Sequence, residues 1–359
     1  MSDICSISFA LDPTNTPSFL LDWEVTKRCN LDCSYCGIWG HDNTTEHPPL
    51  AECLQSIDFM YEYVDQYMQQ VKQSQRKVIL NVYGGESLFH PNIIEILEAV
   101  RTKYKKYQDR WYLTVTCTTN GIIGNNLFKQ IVPLIDNFSM SYHAENLPKQ
   151  EQMYFDNLLE LKQLGKPHKA IIMMHNTLWE SSERAVAFCK EHNINYLVKP
   201  VDRSEDDAWK YSPTQLDFMK VFWLTEKPID SGKNIVDQGR SCCGGRKLST
   251  NGNLKESIKF VHKQGFKGWS CAVNWYFLFV EQQTGKVYTN KDCKTSTTGR
   301  VEPLGTLDKR DEIIATLKEQ FATEMPVITC VKDVCRCGFC APKAETRAEF
   351  DKLLNRYTV

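Results

Sequence analysis

The residues best suited to chemistry stand near the start of the chain: Cys29-x3-Cys33-x2-Cys36, within the stretch CNLDCSYC. Three thiolates on one short loop can take three corners of a [4Fe–4S] cube and leave its fourth iron open. The same spacing also permits a zinc knuckle, or plain thiols packed as small apolar side chains. A second concentration comprises Cys242, Cys243, Cys271, Cys293, Cys330, Cys335, Cys337 and Cys340. Within it, Cys271-x21-Cys293-x43-Cys337-x2-Cys340 supplies four thiolates, enough for one further cube or for a structural zinc. The remaining four of the fifteen cysteines, Cys5, Cys53, Cys117 and Cys189, are scattered and read as buried small hydrophobes.

Other candidates fall where strands are predicted to stop. Gly84-Gly85-Glu86 closes one strand; glycines let backbone approach a neighbour closely, and a carboxylate suits an ammonium group. Asn120, Ser141, His143, His175 and Lys199 stand at the ends of others. A lone His or Lys in such a place serves equally well as a satisfied or solvated residue.

The elements that must position these groups alternate. Strands are predicted over Phe19–Thr26, Lys77–Tyr83, Trp111–Thr118, Asn137–His143, Lys169–His175 and Asn195–Val201. Helices are predicted between them, at about 50–73, 91–106, 125–132 and 148–164, and from a cap at Ser181-Ser182 to His192. Pro48-Pro49 mark the start of the first, and Leu50, Leu54, Ile57, Val64, Met68 and Val71 give it helical spacing. Six βα units in succession imply a parallel sheet with helical crossovers, and six form an open partial barrel where eight would close one. Runs such as KVILNVY and KAIIMM read as strands buried on both faces. In such a fold the functional residues gather at the C-terminal ends of the strands.

The rhythm breaks after residue 202. Residues 203–260 read as a polar connector with one helix at about 213–223. A β-hairpin is predicted over 271–293, with its turn at Thr284-Gly285, followed by a helix at about 309–322 and a cysteine-rich loop over 330–340. The predicted fold class is therefore α/β: a partial (β/α)6 barrel with a small cysteine-rich C-terminal α+β domain. The divisions are 1–18 as an N-terminal segment, 19–202 as the barrel, 203–260 as the connector and 261–359 as the C-terminal domain.

The 359 residues are 42% apolar and 24% charged, which argues against disorder. Lys+Arg is 43 against Asp+Glu 44, a net charge of -1, so there is no strong electrostatic footprint for duplex nucleic acid or an anionic membrane. The longest apolar run, Cys271 to Val280, is about half a membrane span and contains Asn274. The first residues have no basic n-region, so no signal peptide is read and a cytoplasmic, reducing compartment is expected.

CNLDCSYC, with aromatic Tyr35 before its last cysteine, resembles the cluster motif CxxxCxΦC of the radical S-adenosylmethionine (SAM) enzymes. Gly84-Gly85-Glu86 is similar to the segment that meets the methionyl amino group of SAM in that family, where Pro usually follows the Glu and this chain has Ser87. The resemblance implies that Cys29, Cys33 and Cys36 hold a [4Fe–4S] cube whose open iron binds SAM. It implies that Tyr35, Gly84, Gly85, Glu86, Asn120 and Ser141 surround the cofactor, and that His143, His175 and Lys199 are candidates to face substrate. The implied chemistry is one-electron cleavage of SAM to a 5′-deoxyadenosyl radical that takes a hydrogen atom from substrate, with an external donor such as flavodoxin or ferredoxin. The later cysteines resemble the twitch and SPASM extensions that carry auxiliary [4Fe–4S] clusters, as does Leu304-Gly305-Thr306-Leu307. One auxiliary cluster is expected on Cys271, Cys293, Cys337 and Cys340, and a possible second on Cys242 or Cys243 with Cys330 and Cys335. The gap from Gly285 to Cys293 is longer than usual, and Cys330-x4-Cys335-x-Cys337-x2-Cys340 is not the standard SPASM string.

Three functions compete. The first is an oxidoreductase-like radical SAM enzyme acting on a small molecule, its auxiliary cluster relaying an electron or binding substrate. The second is a SPASM-type maturase acting on a peptide or protein. Against its leader-dependent form, only 18 residues precede the first strand; against its sulfatase-maturing form, the fourth strand ends SYHAE rather than Ser-x-Asp-Gly. The third is a non-catalytic iron–sulfur carrier or zinc-scaffolded binding protein, which needs neither the Gly-Gly-Glu turn nor a barrel.

Overall fold

Six strands alternate with helices from Phe19 to Pro200: β1 (Phe19–Thr26), α1 (Leu50–Gln69), β2 (Lys77–Gly84), α2 (Ile93–Tyr104), β3 (Tyr112–Thr119), α3 (Asn125–Ile131), β4 (Asn137–Tyr142), α4 (Pro148–Gln163), β5 (His168–Met174), α5 (Trp179–Glu191) and β6 (Tyr196–Pro200). The computed structural model describes residues 18–36, 42–71, 76–201, 211–215, 217–219, 267–271, 277–289, 303–323, 328–329, 343–344, 346–348 and 351. β1 to β6 lie side by side in chain order, every pair parallel, as an open (β/α)6 sheet requires.

Alternation along each strand decides what faces the helices. Val78, Leu80 and Val82 of β2, Phe138, Met140 and Tyr142 of β4, and Ala170, Ile172 and Met174 of β5 are buried in one core with Ile57, Met60, Leu97, Val100, Leu158 and Leu161 of the helices. The intervening residues, including Asn81, Ser139, Ser141, Ile171 and Met173, are only half-buried. The expectation that β2 and β5 are buried on both faces is thus not met. Their second face lines the inside of an open sheet and mixes apolar with polar residues: Ile79, Ile171 and Met173 stand on it beside Asn81, which donates to Asp22 at 2.9 Å and accepts from Thr116 and Thr118 at 3.3 and 3.2 Å.

The expected hairpin forms from β8 (Phe277–Glu281) and β9 (Lys286–Tyr288), after the short β7 (Ser270–Cys271). Gly285 sits in its turn at φ +66°, a conformation that favours glycine. β8 runs parallel to β1, in register from Leu20↔Phe277 to Glu24↔Glu281. The hairpin therefore extends the barrel sheet, which runs β10 (Gly305–Thr306)-β9-β8-β1-β2-β3-β4-β5-β6. It covers the edge that β1 would otherwise expose, and all five residues of β8 are buried. The Trp23 indole N–H donates to Gln282 across this junction at 3.0 Å. The expected late helix is α6 (Arg310–Thr323), entered through a 3₁₀ turn at Leu307–Lys309. A second sheet places β7 between β11 (Ile328–Thr329) and β12 (Lys343–Ala344).

Two local expectations are corrected. The first helix stops at Gln69 rather than near 73, although Val71 keeps its buried position beyond it. Ser181 and Ser182 do not cap α5, which starts earlier, at Trp179, after Leu178. Their hydroxyls serve the strands instead: Ser182 donates to the Met173 carbonyl at 3.0 Å and Ser181 bonds the Tyr142 hydroxyl at 2.7 Å. Within the expected connector, 213–215 and 217–219 are helical, and the Tyr211 hydroxyl donates to the Met174 carbonyl at 2.6 Å. Among the described residues no helix is long and apolar enough to cross a membrane.

Candidate active site

The loop that leaves β1 carries all three cysteines of the triplet, each half-buried. The turn after β2 holds this loop in place. The Gly85 N–H donates to the Thr26 carbonyl and the Glu86 N–H to the Arg28 carbonyl, both at 2.8 Å. A Cβ at Gly84 would stand 2.2 Å from the Thr26 carbonyl oxygen, and one at Gly85 would stand 2.3 Å from that of Lys27. The chain itself therefore uses the close approach that these glycines permit: only bare backbone brings the two strand ends together.

Glu86 is 1% exposed. Its Oε1 accepts from the Leu88 N–H at 2.9 Å and from the Thr119 hydroxyl at 2.8 Å, and its Oε2 accepts from the Asn120 N–H at 2.6 Å. Burial pushes its carboxyl up to about 7, against the lowering effect of these donors. The carboxylate thus joins the β2 turn to the β3 turn from below. Ser87, in the place of the usual Pro, is fully buried and opens a 3₁₀ turn over Ser87–Phe89.

Asn120 is committed to the cysteine loop. Its Nδ2 donates to Asn30 Oδ1 at 2.7 Å and lies 3.7 Å from the Cys29 sulfur, while its Oδ1 accepts from the Ile122 N–H at 2.9 Å. Asn30 in turn donates to the Ile122 carbonyl at 2.6 Å. Gly121 holds φ +68°, and a Cβ there would strike the Met140 side chain at 2.3 Å.

The far side of the loop meets β4 and β5. The Tyr35 hydroxyl lies 2.5 Å from His143 Nδ1, and its ring stacks on that imidazole at 5.8 Å. Burial lowers His143 to about 4, so the ring is neutral at pH 7 and the hydroxyl donates to it. His175 Nδ1 accepts from the N–H groups of Thr177 and Leu178, both at 3.3 Å, and its Nε2 is 3.5 Å from Glu145. Glu145 accepts from both the N–H of Ser34, at 2.7 Å, and its hydroxyl.

Cys29, Glu86, Asn120, His143 and His175 therefore converge at the C-terminal ends of β1 to β5. Ser141 stands one turn of the pleat below His143 on β4, opposite Ile171. Lys199, on β6, pairs with Met173 of β5 and is exposed, and its side chain makes no hydrogen bond or ion pair among the described residues. Asn30, Ser34 and Glu145 are parts of the site that the sequence did not single out. Asn30 lies inside the cysteine motif itself, whereas Glu145 is 111 residues from Ser34 and leaves no local signal.

The loop's donor set fits a cube. Burial pushes the Cys29 thiol up to about 11 and the Cys33 thiol to about 12, and raises Cys36 too. Such thiols release their protons only to a strongly held cation. The Leu31 N–H, 3.4 Å from the Cys29 sulfur, and Asn120 are placed to stabilise the thiolate. A cube takes each cysteine on a different iron, so the triplet need not meet at one point; among the described residues no three His, Cys, Asp or Glu side chains do.

Of the later cysteines, Cys271 is described: it is buried with Phe277, Phe279 and Tyr288, and pairs with Ile328 on one side and Lys343 on the other. Cys242, Cys243, Cys293, Cys330, Cys335, Cys337 and Cys340 lie outside the described residues. In sequence, Cys330 directly follows β11 and Cys340 comes shortly before β12, the two strands that flank Cys271.

A loop of three thiols after the first strand of an open (β/α)6 sheet defines a class, and the comparisons agree with it. Residues 23–195 match the model of the Radical SAM superfamily. The fold is similar to a tagged form of anSMEcpe with bound AdoMet, at 16% identity over 84% of this chain and 78% of that one, TM-score 0.54. Native anSMEcpe with bound AdoMet and Kp18Cys peptide gives 15% identity over 85% and 83%, TM-score 0.53. Streptococcus suis SuiB gives 13% over 85% and 68%, TM-score 0.48. At these identities the likeness to anSMEcpe is one of fold. No curated protein matches the chain's sequence.

Proposed function

We propose that the chain is a radical SAM enzyme that removes a hydrogen atom from a small molecule held against the inner face of the open barrel. The observation that carries this is the stitching of the cysteine loop to the Gly84–Glu86 and Asn120 turns, which groups the cofactor candidates at one mouth. When bound, the cluster and SAM supply a 5′-deoxyadenosyl radical by one-electron cleavage of the sulfonium. Cys29, Cys33 and Cys36 would hold the cube, with Tyr35 walling it on the β4 side. Gly84, Gly85 and Glu86 would border the methionyl end, and Glu86 acts there by holding the β3 turn as well as by its charge. Asn120 orients the loop through Asn30 and the Cys29 sulfur. Ser141, His143 and Lys199 would face substrate from β4 and β6; His175, with both ring nitrogens directed at Glu145 and the β5–α5 turn, orients that wall. The barrel's part is to hold the reacting carbon near the cofactor and exclude water.

Residues 19–202 would form the catalytic barrel, 203–260 the connector, and 261–359 an auxiliary region whose hairpin pairs with β1. An auxiliary [4Fe–4S] cluster there on Cys271, Cys293, Cys337 and Cys340, with a possible second on Cys243, Cys330 and Cys335, would assist oxidation or bind substrate. An external one-electron donor such as flavodoxin or ferredoxin would serve the first cluster in the cytoplasm. A peptide substrate is the second reading, favoured by the solved relative of similar fold with bound peptide. The test is to reduce anaerobically reconstituted protein with SAM and measure 5′-deoxyadenosine. Its formation is expected; none from an intact, reducible cluster rejects the enzyme reading. Products from sugars, nucleosides or amino-acid derivatives, against products from peptides, then separate the two substrate classes.

A further inference from the structure

We propose that Glu145 positions the cysteine loop and sets the reduction potential of its cluster through its negative charge. The inference rests on reading Cys29, Cys33 and Cys36 as ligands of a [4Fe–4S] cube. Ser34 and Tyr35 are the two residues between the second and third of these cysteines, and Glu145 is fixed against them. Its Oε2 accepts the Ser34 N–H at 2.7 Å and its Oε1 accepts the Ser34 hydroxyl. Tyr35, beside Ser34, packs between His143 and His175 with ring centroids 5.8 Å from each. His175 presents Nε2 to the carboxylate at 3.5 Å, its Nδ1 being occupied by the following turn. Among the described residues no lysine or arginine pairs with Glu145.

A neutral carbonyl oxygen could accept the Ser34 bonds, so holding the loop does not by itself call for a charge. The charge has a separate consequence. A carboxylate in a half-buried site, where the effective dielectric is well below that of water, repels the electron entering a nearby cluster and lowers its potential. Glu145 also claims two Ser34 donors that could otherwise bond the cluster's sulfurs and ease reduction.

The test is a potentiometric titration of reconstituted full-length protein with dithionite or titanium(III) citrate, without SAM, read by electron paramagnetic resonance. The signal lost in the C29A/C33A/C36A variant identifies the first-loop cluster. E145Q keeps a carbonyl acceptor for Ser34 and removes the charge. Its midpoint is expected to rise by about tenfold in the reduction equilibrium, about 59 mV for one electron; an unchanged or lower midpoint overturns the proposal. Should E145Q retain no cluster, S34A decides. It strips the hydroxyl that partly offsets the carboxylate, so its midpoint is expected to fall, and an unchanged or higher one overturns the proposal. A cluster present with an unresponsive midpoint rejects only the role of Glu145. A first loop that binds no cluster in the unsubstituted protein overturns both readings.

Discussion

At the scale of single residues, bare backbone and buried polar groups do most of the positioning. Gly85 has no room for a side chain, because two carbonyl oxygens of the cysteine loop, those of Lys27 and Arg28, stand 2.3 and 2.5 Å from where its Cβ would be. G85A should cost about 1–3 kcal/mol in urea unfolding and lower the iron retained after reconstitution, since the displaced atoms are backbone. Glu86 gives a pH signature. Its carboxyl is near 4.5 when unfolded and is pushed up to about 7 by burial. The stability tied to its protonated form is therefore complete below about pH 4.5 and lost as pH rises through about 7, by about 3 kcal/mol. E86Q lacks this decline, so in the absence of SAM the stability gap between the two proteins should narrow from pH 4.5 to 7 when unfolding is followed at several pH values. The cysteine triplet and the Gly-Gly-Glu turn were legible because each is a short run of sequence, although the partners of the turn, Thr26, Arg28, Thr119 and Asn120, lie far along the chain. Glu145 was not, because its partner is 111 residues away. The serines of α5 were misread because a hydroxyl at a helix start can cap it or serve an adjacent strand end, and here strands β4 and β5 claim both.

At the scale of elements, the order of βα units could be read from periodicity, and β1 begins and ends where its residues predict. Helix ends were less legible: apolar spacing carries on to Val71, which packs in the core after the helix has already stopped at Gln69. The hairpin was legible as a hairpin, from its turn glycine and aromatic strand. Its docking on β1 was not, since pairing across more than 250 residues leaves no mark in either strand. That docking should matter. Val280 is fully buried and opposite Trp23, so V280D places an unpaired carboxylate in the β1–β8 seam. A loss of about 3 kcal/mol or more is expected in chemical denaturation, together with a tendency to aggregate as the β1 edge opens.

At the scale of the whole molecule, the barrel gathers its reactive groups at one rim, while most of the later cysteines follow in sequence, in a region that contacts it through β8 on β1 and α6 on α1. Metal content distinguishes the two sets. After anaerobic reconstitution, the C29A/C33A/C36A variant should retain about four iron atoms per chain for one auxiliary cube, or about eight for two. Zinc in their place would overturn the auxiliary assignment without touching the first loop. The central claim concerns that loop alone: three sulfurs from Cys29, Cys33 and Cys36 leave one iron open to the sulfonium cofactor. It is tested most directly by recording the electron paramagnetic resonance spectrum of the reduced first-loop cluster before and after adding SAM. A changed spectrum is expected, with the signal absent in the C29A/C33A/C36A variant; a first-loop signal that is identical with and without SAM would overturn the assignment.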